Sequence, residues 1–281
     1  MITKIPPEER VAVTVSRELV AQGWQVYPEL GGLCDITAVN PQGDLIGIEV
    51  KAAANLGVLA QAEKHVRMGV YDLIYVAFPK RGWTHVAVKD LAGLRGIGVV
   101  LTHERYENID TNLRHVEIPC VDVIPGKRLH VHRLKKREAM KHLMVEEARV
   151  HTTPGRSSPR TFTEFRFREL VIYKHLVRMG VPVATLDVVA MERAYLKDNP
   201  GMSFKWRPDG RTIREYAKKA VFSAIQHDAT TDTWTVKAAW GSKEAGHSPV
   251  DYSKVIPGSK PDTFLPRQPE IVSSVETKEV L

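Results

Sequence analysis

Asp35, Glu49 and Lys51 are the residues of this chain whose types and spacing could do hydrolytic chemistry. They flank Asn40-Pro-Gln-Gly-Asp44, a run of turn-forming residues between two apolar, β-branched stretches, which predicts an antiparallel hairpin. With the turn centred on Gln42, Asp35 faces Glu49 across the strand pair. Carboxylates directly opposite one another destabilise a sheet. Alternation along the second strand sends Glu49 and Lys51 to one face, with Ile48 and Val50 on the other. Two acids and a lysine thus converge on one face of an otherwise apolar hairpin, and a divalent metal is the simplest reason for them.

The surrounding pattern supplies elements to position that hairpin. Pro6-Pro-Glu-Glu9 reads as a helix start, with proline in the first turn and acids at the positive end of the dipole. Val11, Val15 and Leu19 carry the helix to about Gln22, where Gly23 stops it. A short strand is expected over 24–29, a helix over 57–68 and a buried strand over 71–78. Short strands are expected over 85–88 and 98–101, with a helix starting near Asp90. This order predicts an α/β domain over 1–125, a mixed sheet with helices on both faces.

Asp35 followed after 13 residues by Glu49-Val-Lys51 resembles the motif of the PD-(D/E)XK nuclease superfamily, and the upstream helix, hairpin, following helix and apolar strand resemble its restriction-endonuclease-like fold. The likeness covers about residues 6–101, and Cys34 stands where the family usually carries proline. It implies a Mg²⁺-dependent phosphodiesterase, with Mn²⁺ as the alternative ion. Hard cations take oxygen ligands, so Asp35, Glu49 and the Val50 carbonyl would form the protein's share of the shell. The ion would offset the carboxylate repulsion and acidify a ligated water. Lys51 would orient that water and stabilise charge developing on the phosphate. Many members add an acid from the first helix; Glu9 and Glu18 are candidates, with Glu9 preferred, and Glu29 is a third. Gln61 falls where several branches carry a helix glutamine, and Lys64, one turn on, could touch phosphate.

Charge is unevenly spread through the 281 residues. Residues 126–220 hold 22 Lys/Arg against 10 Asp/Glu, whereas residues 1–125 hold 12 against 15. A concentrated basic middle suggests a polyanion partner, nucleic acid and most readily DNA. A basic helix is expected over 133–149, within a basic helix-and-linker segment over 126–160 that contains Arg156 and Arg160. Helices over 164–179, 186–196 and 211–226 followed by a strand over 233–240 predict a small, mainly α, winged-helix-like domain over 161–241. There Lys205, Arg207, Arg211, Arg214, Lys218 and Lys219 could follow a phosphate backbone. Trp206 and Trp234 could stack on bases, although core packing is the commoner role. Residues 242–281 read as a poorly ordered tail.

Other chemistries find less support. Two cysteines, Cys34 and Cys120, make neither a disulfide framework nor a zinc ribbon. His130-x-His132 lacks a third ligand nearby. Neither GxGxxG nor GxxxxGK[ST] occurs, which disfavours nucleotide-driven activity. No signal peptide or membrane span is expected, so the cytoplasm, or association with the nucleoid, is the expected location. The leading expectation is a divalent-metal-dependent endonuclease that hydrolyses DNA, possible as a homodimer because one such site cuts one strand at a time. The alternative is a non-catalytic DNA-binding or regulatory protein that retains a nuclease-like scaffold.

Overall fold

Helix α1 (Pro7–Ala21) turns Val11, Ala12, Val15, Ser16 and Leu19 to one side, and all five are buried. Gly23, with φ of 83°, closes it by leaving the right-handed region. The buried side lies on one face of a sheet against Ile36, Ala38, Ile46, Ile48 and Val50. Each Val, Leu or Ile among them contributes about 1.5–3 kcal/mol by leaving water. The structure, a computed structural model, describes residues 7–81, 84–108, 115–149, 162–200, 208–219, 222–242 and 245.

The sheet runs β1 (Gln25–Pro28), β2 (Ile36–Val39), β3 (Leu45–Val50), β4 (Leu73–Pro79), β5 (Gly98–Asn108) and β6 (His115–Ile124), in that spatial order. The outer pairs are antiparallel and β3-β4-β5 are parallel. Parallel neighbours need crossovers, and α2 (Leu56–Met68) and α3 (Thr84–Leu94) provide them. Val58, Leu59, Ala62, Val88 and Ala92 from these helices cover the face opposite α1. This is the expected α/β arrangement, a six-stranded mixed sheet with helices on both sides.

Two expectations within this part are corrected. Residues 85–88 belong to α3 rather than to a strand, because Val88 and Ala92, one turn apart, are both buried and Leu91 packs beside them. A four-residue apolar alternation is too short to fix its period once a helical stripe of that kind is available. The strand expected over 98–101 extends to Asn108, since a long antiparallel ladder with β6 satisfies its backbone.

The expected basic helix is two pieces, α4 (Leu134–His142) and α5 (Glu146–Arg149), separated around Leu143. Met140, Leu143 and Ala148 drop into the same core as Leu30, Cys34 and Val58, so these helices lie against the sheet. Arg137 helps to hold α4 there, reaching Asp72 at 2.7 Å and the Val70 carbonyl at 3.0 Å.

The second unit contains α6 (Glu164–Met179), β7 (Val183–Ala184), α7 (Thr185–Asp198), α8 (Gly210–Lys218), β8 (Ile225–Asp228) and β9 (Thr233–Val236), with a small sheet ordered β7-β9-β8. Three strands replace the single expected one. Helix α8 stops at Lys218, short of the expected Gln226. Phe222 and Ala224 are buried, and the Glu169 carboxylate accepts the Ala224 N–H at 2.7 Å and the Ser223 N–H as well, which fixes an extended chain leading into β8. Trp234 is a core residue, and its indole N–H donates to Thr185 Oγ1 at 2.9 Å.

Helix α6 serves both units. Phe167, Leu170 and Val171 join the core of the large sheet, while Ile172 and Leu176 join that of the small one. Ahead of α6, Phe162 bridges Leu30, and its carbonyl accepts the Gly31 N–H at 2.9 Å. Among the described residues, no helix is long and apolar enough to cross a membrane.

Candidate metal centre

The hairpin has the expected register: Ile36 pairs with Ile48 and Val39 with Leu45, so Asp35 stands opposite Glu49 one residue further on. Gly43 accommodates the turn with φ of 87°. Asp35 lies just before β2, and its Oδ2 accepts the Val50 N–H at 2.7 Å. Its carbonyl accepts the N–H of Glu29, which occupies the left-handed region with φ of 50°. These bonds fix Asp35 from both sides at the carboxyl end of β3, where ligands commonly approach an open α/β sheet.

Glu49 points from β3 towards α2. Asn55 caps that helix by accepting the Val58 N–H at 3.0 Å, and Val58, Ala62 and His65 face inward. His65 Nε2 comes to 2.7 Å from Glu49 Oε1, and both side chains are only 6% exposed. His65 Nδ1 is buried and has no hydrogen-bond partner among the described residues. Cys34 completes the group: the ligand atoms of Cys34, Glu49 and His65 all lie within 4.8 Å of one another, and the three could hold a metal ion. Gly47 makes room for the thiol, since a Cβ there would stand 2.6 Å from Cys34 Sγ. Nearby, Thr37 Oγ1 and the Tyr71 hydroxyl share a hydrogen bond of 3.0 Å.

On the other side of the hairpin's end, Lys51 Nζ stands 3.0 Å from Glu8 Oε1 at the start of α1. Burial would lower the Lys51 pKa, but the Glu8 hydrogen bond and the nearby Asp35 charge together raise it. Asp35 also responds to its surroundings. Burial, and then the Glu49 charge, push it up to about 7 against the opposing pull of the Val50 N–H and Lys51. Burial, followed by Glu49, likewise pushes the Cys34 thiol up. The centre therefore has an excess of negative charge that a divalent cation would offset. Asp35, Glu49 and Glu8 offer the oxygen donors that suit a hard ion.

Other proposed residues are placed differently. Gln61 and Lys64 are exposed on α2, and the inward polar residue of that helix is His65, which sequence reasoning missed. Its signal was present, because Val58, Ala62 and His65 recur at helical spacing on the apolar face. Glu8, rather than the preferred Glu9, is the acid paired with Lys51; Glu9 is buried in the same turn. Glu18 lies two turns further along and engages Gln22 at 2.7 Å, and Glu29 adjoins the Asp35 backbone. His130 and His132 are exposed and outside any strand.

In the second unit, Arg211, Lys218 and Lys219 are exposed on or just beyond α8. Arg214 is instead held by Asp232 in the β8–β9 turn, through bonds of 2.7 and 2.5 Å. Arg156, Arg160, Lys205 and Arg207, with Trp206, residues 150–161 and nearly all of the tail, lie outside the described residues. No protein-family model, curated protein or solved structure matches the chain.

Proposed function

We propose that the chain is a divalent-metal-dependent endonuclease of the PD-(D/E)XK type, acting on DNA. The observation that carries this reading is the Asp35–Glu49 pair at the end of a central strand, with Asp35 driven towards protonation by burial and then by the Glu49 charge, and Lys51 immediately beyond. Asp35 and Glu49 would hold Mg²⁺ or Mn²⁺, with Glu8 supplying the acid that related sites draw from the first helix. A bound ion of this kind acidifies a ligated water and offsets phosphate charge. Val50 contributes by holding Asp35 in place through its N–H. Lys51, kept charged by Glu8 and Asp35, donates to a phosphate oxygen and stabilises the negative charge that grows there as the bond to phosphorus forms.

The second unit supports delivery of nucleic acid to this centre. Its helix-strand-helix-helix-strand-strand order, with a β7-β9-β8 sheet, supports a winged-helix reading in which α8 would be the reading helix and the β8–β9 turn the wing. Arg211 and Lys219 are exposed to phosphates, as is Lys218 beside its exposed partner Glu215 at 3.2 Å, while Arg214 ties the reading helix to the wing. Incubating plasmid, linear, branched and single-stranded DNA with Mg²⁺, Mn²⁺ or EDTA tests the proposal. Cleavage should require the metal and disappear in Glu49→Gln and Lys51→Met, while DNA affinity stays within a few fold. Unchanged cleavage by both variants would sink the assignment.

A further inference from the structure

We propose that Cys34, Glu49 and His65 form a second cation site, one for a borderline transition metal of the Zn²⁺ kind, which shares Glu49 with the hard-cation centre. Thiolate, imidazole and carboxylate are the donor types that select Zn²⁺ over Mg²⁺, whereas the oxygen donors on the Asp35 side have the opposite preference. Three protein ligands with a fourth position left for water make a complete zinc shell.

Three observations point to this site independently of the nuclease reading. All three ligand atoms already lie within 4.8 Å of one another, and the residues are buried. A tetrahedral zinc shell separates its donors by about 3.3–3.6 Å, so the 2.7 Å Glu49–His65 contact needs to open only slightly. The imidazole is anchored only through Nε2: its Nδ1 is buried with no hydrogen-bond partner among the described residues, so no second bond opposes a turn of the ring towards a metal. Finally, the thiol occupies space that exists only because residue 47 is glycine; any other residue would put its Cβ against the sulfur. On binding, the metal–sulfur bond forms as the S–H bond breaks, and the proton leaves to solvent.

Because Glu49 belongs to both sites, occupation by Zn²⁺ draws its carboxylate away from Asp35. Zn²⁺ therefore acts as an inhibitor of the Mg²⁺-dependent reaction; this consequence alone rests on the nuclease reading. The site itself is tested without nucleic acid by titrating the metal-stripped full-length protein with Co²⁺, whose thiolate charge-transfer band reports a sulfur ligand. One equivalent should produce the band, and Zn²⁺ should displace it. Cys34→Ser should abolish it and His65→Gln should weaken Co²⁺ binding at least tenfold, whereas Cys120→Ser and Asp35→Asn should leave it intact. Far-UV circular dichroism establishes that each variant is folded. Absence of the band in the parent protein, its survival in Cys34→Ser, or its loss in Cys120→Ser or Asp35→Asn would overturn the proposal. A band without DNA cleavage would retain this site and remove the nuclease reading; cleavage without a band would do the reverse.

Discussion

Nε2 of His65 stands 2.7 Å from Oε1 of Glu49, and both side chains are almost wholly removed from water. Removing one member of such a pair strands the other's polar group in a poorly solvated interior. Replacing both with apolar groups avoids that penalty. His65→Leu should therefore cost about 3 kcal/mol of stability, whereas the Glu49→Leu/His65→Leu double variant should cost less than the sum of its singles. Urea unfolding of the four proteins in the cycle measures the coupling, and additive losses would contradict this account.

The Asp35–Glu49 pair predicts an unusual pH dependence. The folded-state pKa of Asp35 is raised from an ordinary 3.8 to about 7, so the folded protein binds this proton more tightly than the unfolded chain does. Its contribution to stability is fully present below about pH 4 and is lost as pH rises through about 7. Asp35→Asn should consequently stabilise the metal-free protein by roughly 2–4 kcal/mol at pH 8 and by little at pH 4. Thermal melts at the two pH values check this. Added Mg²⁺ at pH 8 should stabilise the parent and leave the Asp35→Asn protein unmoved.

Glu8 and Gln61 should separate in cleavage assays, opposite to what their sequence positions imply. Glu8 touches Lys51, while Gln61 is exposed. Glu8→Gln should lower the cleavage rate by about tenfold, against about a hundredfold for Lys51→Met. Gln61→Ala should stay within about threefold of the parent. Single-turnover rates at saturating metal distinguish these outcomes.

The basic residues of α8 should likewise fall into two classes. Arg211→Ala, Lys218→Ala and Lys219→Ala should each weaken DNA binding and reduce the salt-dependence slope by about 0.9 for each phosphate that is no longer neutralised. Arg214→Ala should instead lower the melting temperature, and Asp232→Asn should lower it in the same way, because each removes one half of the bidentate pair. Fluorescence anisotropy over a salt series, beside thermal melts, sorts them.

The hairpin was fully legible because its turn residues and its two-residue alternation both specify one register, and a slip by one would have turned Ile36, Ala38, Ile46 and Ile48 away from α1 and put Thr37 and Glu49 beneath it. Asp35 and Glu49 follow directly from that register, whereas Lys51, just past the end of β3, reaches Glu8 of α1 on the other side. His65 was less legible because a histidine on an apolar helical stripe is recognised as a partner only when the opposing strand residue is known to be Glu49. Glu8 and Glu9 are adjacent in sequence, and only the docking angle of α1 decides which reaches Lys51. The end of α8 was hidden for a related reason: apolar spacing continues to Ile225, but Glu169, from a distant helix, captures the backbone at Ser223 and Ala224.

The bond between Gly31 and Phe162, and the seating of Phe162 and Phe167 among Leu30 and Cys34, have a practical consequence for anyone dividing this chain. The halves are not cassettes to be cut at a composition boundary and recombined. A fragment ending near residue 125 would lose the lid over the very loop that presents Cys34 and Asp35, leaving Leu30 and its neighbours wet. Grafting the basic half onto another protein would carry away a piece of this chain's core.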